Sequence, residues 1–266
     1  MMKKSCFAAI ISIIVFLPCL ANASYISLSS SFERFNISES GIAYANFTIR
    51  NYGDEPANNV NIRLLLPEGF SSKQIEAGKI GVNGIYHGSF EVKAVSKITG
   101  SYTAAMLVEY EDSNGYGLSA ITPAEFSFLE SAESSVSGFI ESSDIIEKGS
   151  ANMAVKLFNN DKAAHSISIR IFLPNELSAE SRQLLETIEP LGQKTAYIKV
   201  SNKKGLVGSS YPVFASIDYA DEKHYSSYAS GFVSIKKMDY SNLIIFAIII
   251  LSAVLAAVNV KDRLKK

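Results

Sequence analysis

The feature that most constrains the fold of this chain is an internal repeat of about 108 residues. Landmark residues recur along the chain at offsets of 107 to 109. The matching pairs are Gly41 and Gly149, Asn51 and Asn159, Pro67 and Pro174, Gly100 and Gly208, Tyr110 and Tyr219, and Asp112 and Asp221. Because near-constant spacing tolerates only small loop insertions, the pattern predicts two copies of one fold.

Apolar residues within each copy alternate with polar ones at a period of two, as in a half-buried β-strand. In the first copy, Ala43, Ala45, Phe47 and Ile49 alternate with more polar side chains. The same period recurs in residues 60–66, 102–110, 151–157, 167–173 and 211–219. These runs predict strands that bury one face.

Turn-forming residues separate these runs every eight to twelve residues or so, which is typical of a β-sandwich. Asn114-Gly115 predicts a hairpin turn. The fold class we expect is all-β, with two tandem immunoglobulin-like β-sandwiches and one C-terminal transmembrane helix. Residues 178–185, rich in Glu, Arg, Gln and Leu, are the only candidate for a helix within the sandwiches. The short stretch 130–135 between the copies favours end-to-end stacking.

The two ends of the chain indicate its location. Residues 1–23 combine a basic start, an apolar run and small residues at the end, which is typical of a signal peptide cleaved after Ala23. Residues 243–260 carry no formal charge and are long enough to cross a bilayer once as a helix. The basic tail 261–266 predicts a cytoplasmic C-terminus under the positive-inside rule.

Domain boundaries follow from the repeat and these ends. We expect a signal peptide at 1–23, β-sandwich domain 1 at 24–132, β-sandwich domain 2 at 133–238, a transmembrane helix at 243–260 and a cytoplasmic tail at 261–266. The two domains lie outside the cell in a single-pass topology. If the signal segment is not cleaved, the same region is outside and tethered at both ends.

The amino-acid composition excludes several kinds of site and partner for the part of the chain that we expect outside the cell. Both cysteines, Cys6 and Cys19, precede it, so it has no disulfide framework or cysteine-based zinc site. Without the basic residues of the two ends and Asp262, it carries about six net negative charges. Because no basic stripe or arginine cluster is present, neither nucleic acid nor anionic lipid headgroups are expected partners of this part of the chain.

Residues 47–70 and 153–177 share the strand–turn–strand pattern that ends in Leu-Pro, and 100–112 and 208–221 share a later strand. These segments resemble the CARDB and NEW3 β-sandwich modules of archaeal and bacterial cell surfaces. The resemblance implies an S-layer-associated, membrane-anchored, non-catalytic protein, and we expect an archaeal source. A fainter similarity is to the lumenal domain of the translocon-associated protein family, which joins one sandwich to a membrane helix.

Four residues are candidate sites. The sequons Asn36-Ile37-Ser38 and Asn46-Phe47-Thr48 make Asn36 and Asn46 candidate glycosylation sites, as in a glycoprotein. The alternative is that both are ordinary surface asparagines. Tyr225 and Tyr228 lie three residues apart, so on a strand they point to opposite faces and one is available for partner binding near the membrane. An outward tyrosine on an ordinary strand is the plainer interpretation.

Catalytic, cofactor and metal sites are not expected. The acidic groups around Asp112 and Asp221 contain oxygen ligands of the kind calcium prefers, but turn chemistry explains them better. His87, His165 and His224 are isolated in the sequence, which favours surface positions. No nucleophile elbow, phosphate loop or zinc-protease motif occurs.

The sequence therefore favours a non-catalytic cell-surface protein that presents two domains for adhesion or for binding a protein or a glycan. The alternative is an auxiliary subunit whose extracellular part docks on an integral-membrane partner, such as a transporter or a secretion or translocation machine. A surface hydrolase is a third hypothesis, which requires a polar cleft with a perturbed acid or base. We expect no cofactor.

Overall fold

A computed structural model describes residues 25–96 and 98–238, which form 18 strands and no helix. The predicted all-β, sandwich-forming architecture is confirmed for this part of the chain. The predicted signal peptide, transmembrane helix and cytoplasmic tail lie outside the described residues. Within those residues, no helix has the length and apolar character needed to cross a membrane.

Each half of the chain contributes nine strands. The first half contains β1 (Leu28–Phe32), β2 (Phe35–Ile37), β3 (Ile42–Asn51), β4 (Ala57–Leu65), β5 (Phe70–Ser72), β6 (Ile75–Ile80), β7 (Ile85–Ala94), β8 (Gly100–Glu111) and β9 (Gly117–Phe128). The second half contains β10 (Val136–Ile140), β11 (Ser143–Ile146), β12 (Ser150–Asn159), β13 (His165–Phe172), β14 (Leu177–Ala179), β15 (Gln183–Ile188), β16 (Gln193–Asn202), β17 (Ser210–Ala220) and β18 (His224–Lys236).

The strand order is the same in both halves. One sheet of the first half runs β1-β3-β7-β5, and the facing sheet runs β6-β4-β8-β9, with β2 added in parallel to β9. The second half repeats this as β10-β12-β16-β14 opposite β15-β13-β17-β18, with β11 parallel to β18. Two facing sheets with this order are the arrangement of an immunoglobulin-type sandwich.

Each sandwich has its own apolar core, formed by the inward residues of both sheets. The predicted alternation places Ala43, Ala45, Phe47 and Ile49 of β3 inside the first core. A cluster of aromatic rings fills the end of this core near Phe70, whose ring meets that of Phe126 edge-on at 4.9 Å. Such edge-to-face pairs add specificity to apolar burial.

Buried asparagines fix the loop that follows the third strand of each half. Asn51 donates to the carbonyl oxygen of Glu55 at 2.7 Å and accepts from the Gly53 N–H at 2.9 Å. Asn159 makes the equivalent bonds to the Ala163 carbonyl and the Asp161 N–H. The repeated Asn therefore satisfies backbone groups that the loop would otherwise leave unpaired.

A tyrosine at the start of β8 and of β17 anchors the preceding loop. The Tyr102 hydroxyl donates to the Ile98 carbonyl at 2.7 Å, and the Tyr211 hydroxyl accepts from the Leu206 N–H at 2.8 Å. This is the tyrosine-corner arrangement of immunoglobulin-like domains. Tyr219, the repeat equivalent of Tyr110, is buried in the core farther along β17.

The two sandwiches lie side by side in opposite orientations, so the expectation of end-to-end stacking is wrong. At one end of the molecule, Gly100 at the start of β8 forms a bridge with His224 at the start of β18. At the other end, the Tyr116 hydroxyl, beyond the end of β8, donates to the Lys204 carbonyl, which precedes β17. A Cβ on Gly100 would collide with the His224 carbonyl, so this bridge requires glycine.

An apolar cluster separate from both cores joins the outward faces of the two sheets. Ala105, Leu107, Ile121 and Phe172 are buried there, with Leu65 and Phe214 packed against them. Several residues at the interface occupy equivalent positions in the two copies of the repeat, as the strand registers show. These equivalent pairs are Arg63 and Arg170, Leu65 and Phe172, Ala105 and Phe214, and Glu109 and Asp218. The halves thus contact each other through matching surfaces, as the subunits of a two-fold dimer do.

The helix expected at 178–185 is also absent, because this region forms β14 and β15 with a turn between them. Leu177 and Ile188 are both buried in the second core. The Ser181 hydroxyl donates to the Gln183 carbonyl at 2.6 Å and closes the turn. Pairing of β15 with β13 therefore overrides the helical preference of the local sequence.

Candidate functional site: the groove between the sandwiches

An open groove lies between the sandwiches at the end of the molecule where Gly100 meets His224. It consists of two adjoining cavities, one of about 720 Å³ lined by the second sandwich alone and one of about 520 Å³ lined by both sandwiches. Ser168, Asp218 and His224 line both cavities. We call this surface, with its walls on β13, β15 and β17, on the loop 67–69 and on Ser96 and Ile98, the groove.

The floor of the groove is formed by small and polar side chains. They project from the outward face of β13 and β17, whose inward residues, such as Ile167 and Ile217, belong to the second core. On the outward face, the Ser168 hydroxyl accepts from the Gln183 side-chain amide at 2.9 Å. The strand period therefore supplies a row of hydroxyl, amide and carboxylate groups on a rigid sheet.

Asp218 is the central acidic group of the groove. Its two carboxylate oxygens each accept a hydrogen bond of 2.6 Å, one from the Ser216 hydroxyl and one from the Ser226 hydroxyl. The Ser226 oxygen also lies 2.8 Å from the Thr103 hydroxyl oxygen of the first sandwich. Asp218 is thus held in place by a hydroxyl network that reaches across the interface.

Arg170 forms the inner wall of the groove. Its guanidinium group donates to the Thr103 carbonyl at 2.9 Å and to the Leu66 carbonyl at 3.2 Å. It also stacks on Phe172 at 4.9 Å. Burial lowers the pKa of Arg170, and the nearby Asp218 carboxylate acts in the opposite direction. Its Nε is buried and has no hydrogen-bond partner among the described residues.

His224 closes the far wall and joins the two halves. Its Nδ1 lies 2.7 Å from the Ser101 carbonyl oxygen, which can only accept, so Nδ1 carries the proton and donates. The imidazole ring stacks on Tyr102 with the ring centroids 3.9 Å apart. Burial raises the pKa of the Tyr102 hydroxyl, a hydrogen bond with Ser96 lowers it, and the Asp218 charge raises it further.

Exposed apolar side chains stand at the rim of the polar floor. Leu185 on β15 is 78% exposed, and Ile98 on the opposite wall is 46% exposed. Val95, in the same loop as Ile98, is 79% exposed. An apolar rim around a hydrogen-bonding floor can hold a ligand by contact and orient it by hydrogen bonds.

The candidate glycosylation residues are both on the surface. Asn36, on β2, accepts from the Ser127 hydroxyl at 2.9 Å. Asn46, on β3, donates to the Glu33 carboxylate at 3.3 Å. Both side chains are exposed, so neither is needed by the core.

The two candidate partner-binding tyrosines differ in their surroundings. Tyr225 stacks on Tyr219 at 4.9 Å and packs against the second core. Tyr228 is 40% exposed, with its ring edge-on to Phe214 at 6.5 Å. Because Tyr225 is next to the first residue of β18, it lies at the opposite end of that strand from residue 238, unlike the position near the membrane that we expected.

The acidic groups considered for calcium have other roles. The Asp112 carboxylate accepts from the N–H groups of Asn114 and Tyr116 at 2.9 and 2.7 Å and holds the predicted hairpin turn. Asp221 lies 3.4 Å from His165, which is buried against the Tyr219 ring. Within residues 25–96 and 98–238, no three acidic, histidine or cysteine side chains are grouped to hold a metal ion.

Sequence reasoning missed the groove because it treated histidines as isolated and each sandwich as independent. His165 and His224 are instead packed against aromatic rings, His224 at the interface. One signal for the interface was present: residues 104–108 are apolar without alternation and are buried on both faces. A continuous apolar run indicates a strand covered on both sides.

Comparisons with known proteins give no family assignment. No protein-family model matches the chain, and no curated protein matches it. Among solved structures, it is similar to the third cohesin of ScaC from Acetivibrio cellulolyticus, with 10% identity, 38% of this chain and 99% of that chain covered, and a TM-score of 0.32. The Escherichia coli chaperone DraB matches with 10% identity over 77% of this chain and 98% of its own, at a TM-score of 0.32. CBD12 from CALX1.2 matches with 10% identity over 78% of this chain and 99% of its own, at a TM-score of 0.27.

Proposed function

We propose that this chain is a non-catalytic, membrane-anchored cell-surface protein whose two immunoglobulin-like domains bind a protein or a glycan. The observation that carries the proposal is the groove, with its apolar rim and its hydrogen-bonding floor. Residue 238, from which the chain continues to the uncharged segment 243–260, lies at the opposite end of the molecule. An anchor in that segment leaves the groove facing away from the membrane.

The roles of the titratable groups in the groove support binding without catalysis. His224 donates through Nδ1 to a carbonyl of the other half, and both oxygens of Asp218 accept from serine hydroxyls. The His224 bond holds the two sandwiches together, and the Asp218 bonds, which lie within the second sandwich, fix the shape of the groove. A ligand therefore meets a preorganised surface, which reduces the entropy cost of binding.

The chemistry of the floor suits a ligand with many hydrogen-bonding groups. An extended polypeptide supplies backbone N–H and C=O groups, and a glycan supplies hydroxyl groups, to Ser168, Gln183 and Asp218. Leu185 and Ile98 contact the apolar parts of either ligand. A cell-surface location, an association with a surface layer and an archaeal source are parts of the same proposal.

Photo-crosslinking from the groove tests this proposal. Leu185 is replaced by a photoreactive phenylalanine analogue in the full-length protein, which is then irradiated in its native membranes. Tyr197, which is 66% exposed on the β10-β12-β16-β14 sheet of the same sandwich, carries the analogue in the control. We expect adducts from position 185 and none of the same mass from position 197. Identical adducts from both positions, or none from 185, would contradict binding in the groove.

The alternative of an auxiliary subunit predicts a different adduct. If the protein serves a transporter or a translocation machine, a stoichiometric integral-membrane protein is recovered after mild detergent extraction. A crosslink from Tyr228, which is exposed outside the groove, to that protein would support the alternative.

A further inference from the structure

Both ends of the described chain lie at the same end of the molecule. The Asp54 N–H donates to the Tyr25 carbonyl at 3.1 Å, and the next residue, Glu55, accepts from the Ser113 N–H at 2.8 Å. The loop 112–116 in turn reaches the second sandwich, where the Tyr116 hydroxyl bonds to Lys204. We call this surface the terminal end.

The connection continues to the last described residues. The loop 203–209 bonds back to β18, since the Gly208 N–H donates to the Ile235 carbonyl at 2.7 Å. The Glu147 N–H donates to the Lys236 carbonyl at 3.0 Å. Residues 25, 52–55, 112–116, 146–148, 203–209 and 236–238 therefore form one continuous surface, at the end opposite the groove.

This terminal end exposes apolar and aromatic side chains. Tyr52 is 53% exposed, and its ring lies against the Arg50 guanidinium at 4.7 Å. Leu206 and Val207, adjacent in one loop, are both about half exposed. The other exposed members are Tyr25, Tyr116, Ile146 and Met238. Tyrosines with adjacent aliphatic residues are the side chains that proteins place at the boundary of lipid headgroups and acyl chains.

Lysines surround these side chains. Lys148, Lys203, Lys204 and Lys237 are all exposed at this end. Lys236 is paired with Asp144 at 3.8 Å. The acidic residues Asp54, Glu55, Asp112 and Glu147 lie on the same surface, where Asp54 accepts from the Tyr25 N–H and Asp112 from its own turn. The lysines can contact the phosphate groups of lipid headgroups, while these carboxylates keep the net charge of the surface small.

We infer that the terminal end rests on the bilayer surface, with Tyr52, Leu206 and Val207 in the headgroup region of the lipids. The inference rests on the proposed anchoring through 243–260. Leu243 follows Met238 by five residues, so even a fully extended link holds the terminal end within about 18 Å of the start of the apolar segment. The two sandwiches are then attached to the membrane by the anchor and also by this surface.

Single-tryptophan fluorescence tests the contact, because the chain has no tryptophan. The full-length Tyr52→Trp variant is reconstituted in vesicles of phosphatidylcholine and phosphatidylglycerol whose acyl chains are brominated near the headgroup. The matched control is Tyr44→Trp, which is 65% exposed on β3, the strand that ends one residue before Tyr52. Eight residues of strand separate the two positions by about 27 Å along the strand.

We expect brominated lipid to quench the Tyr52→Trp variant by about two-fold or more, with a blue-shifted emission, while the Tyr44→Trp variant changes by less than about a tenth. Equal quenching of the two variants, at the level of the control, would overturn the inference. Vesicle flotation separates the two proposals. If the protein does not float with the vesicles, the anchoring itself fails; if it floats with the Tyr52→Trp variant unquenched, only the surface contact fails.

Discussion

The substitution Phe172→Ala tests whether the interface makes one folding unit of the two sandwiches. Phe172 is 4% exposed, but it belongs to the apolar cluster between the sandwiches and to neither core. Its neighbours in that cluster, Ala105 and Ile121, come from the first sandwich. Truncation at this position therefore removes packing between the halves and leaves the interior of each half unchanged.

The expected cost follows from burial and from the contacts of the ring. Truncation of a buried Phe to Ala usually costs about 3–5 kcal/mol in the free energy of unfolding. The ring also supports the Arg170 guanidinium at 4.9 Å, a contact worth about 0.5–1 kcal/mol. Because Leu65 and Phe214 border the same cluster and can partly fill the space, we expect about 3 kcal/mol.

Urea unfolding of the full-length protein in mild detergent, followed by circular dichroism, measures this cost. The native protein should unfold in one transition if the interface couples the halves. The variant should show a midpoint lower by about 1 M, for a slope of about 3 kcal/mol per molar urea, or two separate transitions. The control Phe139→Ala, at an exposed position on β10, should lose less than about 1 kcal/mol. If Phe172→Ala matches this control, the halves are not coupled and the reasoning is refuted.

Three further outcomes are expected. Asn159→Ala should lower the unfolding free energy by about 2–3 kcal/mol, since it leaves the Ala163 carbonyl and the Asp161 N–H unpaired and removes one of the two bonds to the Glu189 carbonyl, whereas exposed Asn152→Ala should leave urea curves unchanged. Burial raises the pKa of Tyr110 to about 12, helped by the Glu176 charge. The stability that the neutral Tyr110 hydroxyl contributes is complete below pH 10 and is lost between pH 10 and 12. The Tyr110→Phe variant should therefore lose less stability than the native protein in this pH range, as measured by circular dichroism. The hydrogen bond from Lys223 lowers the pKa of Glu130. Ionised Glu130 therefore stabilises the fold at pH values above the ordinary pKa of a glutamate, and this stability is lost as the pH falls. In the Lys223→Ala variant, the unfolding free energy measured by urea titration should depend less on pH in the acidic range.

Alternation at period two was sufficient to predict the strands and the inner faces, because each strand buries one face against its own partner sheet. The turn at 114–115 was also predictable, because it depends on the local sequence alone: Gly115 has φ of +77°, which glycine accepts without strain. The helix predicted at 178–185 was wrong because residues of this segment pair with the edge of the sheet at β13. Local helix propensity contains no information about that edge.

The candidate site could not be predicted in the same way, since it depends on how the two halves meet. Arg170 has a repeat equivalent, Arg63, but the two differ in partners: Arg63 pairs with Glu109 of its own sheet, and Arg170 bonds to carbonyls of the other half. The repeat alone therefore shows which positions correspond and not which of them contact. Outward apolar residues at equivalent positions, such as Leu65 and Phe172, are the pattern that indicates such an interface in a duplicated chain.

The position of β18 between β17 and β11 has a mechanical consequence. With the proposed ligand in the groove and the proposed anchor beyond residue 238, a pull on the ligand would act on β13, β15 and β17 and would be resisted at residue 238, at the far end of β18. The load is then directed along the strands, so the antiparallel bonds that link β17 to β18 from Ser210–Ser234 to Ala220–His224 share it simultaneously. Strands loaded in shear must lose many bonds at once, whereas strands pulled apart sideways lose them one by one. The fold is therefore suited to holding a ligand under tension.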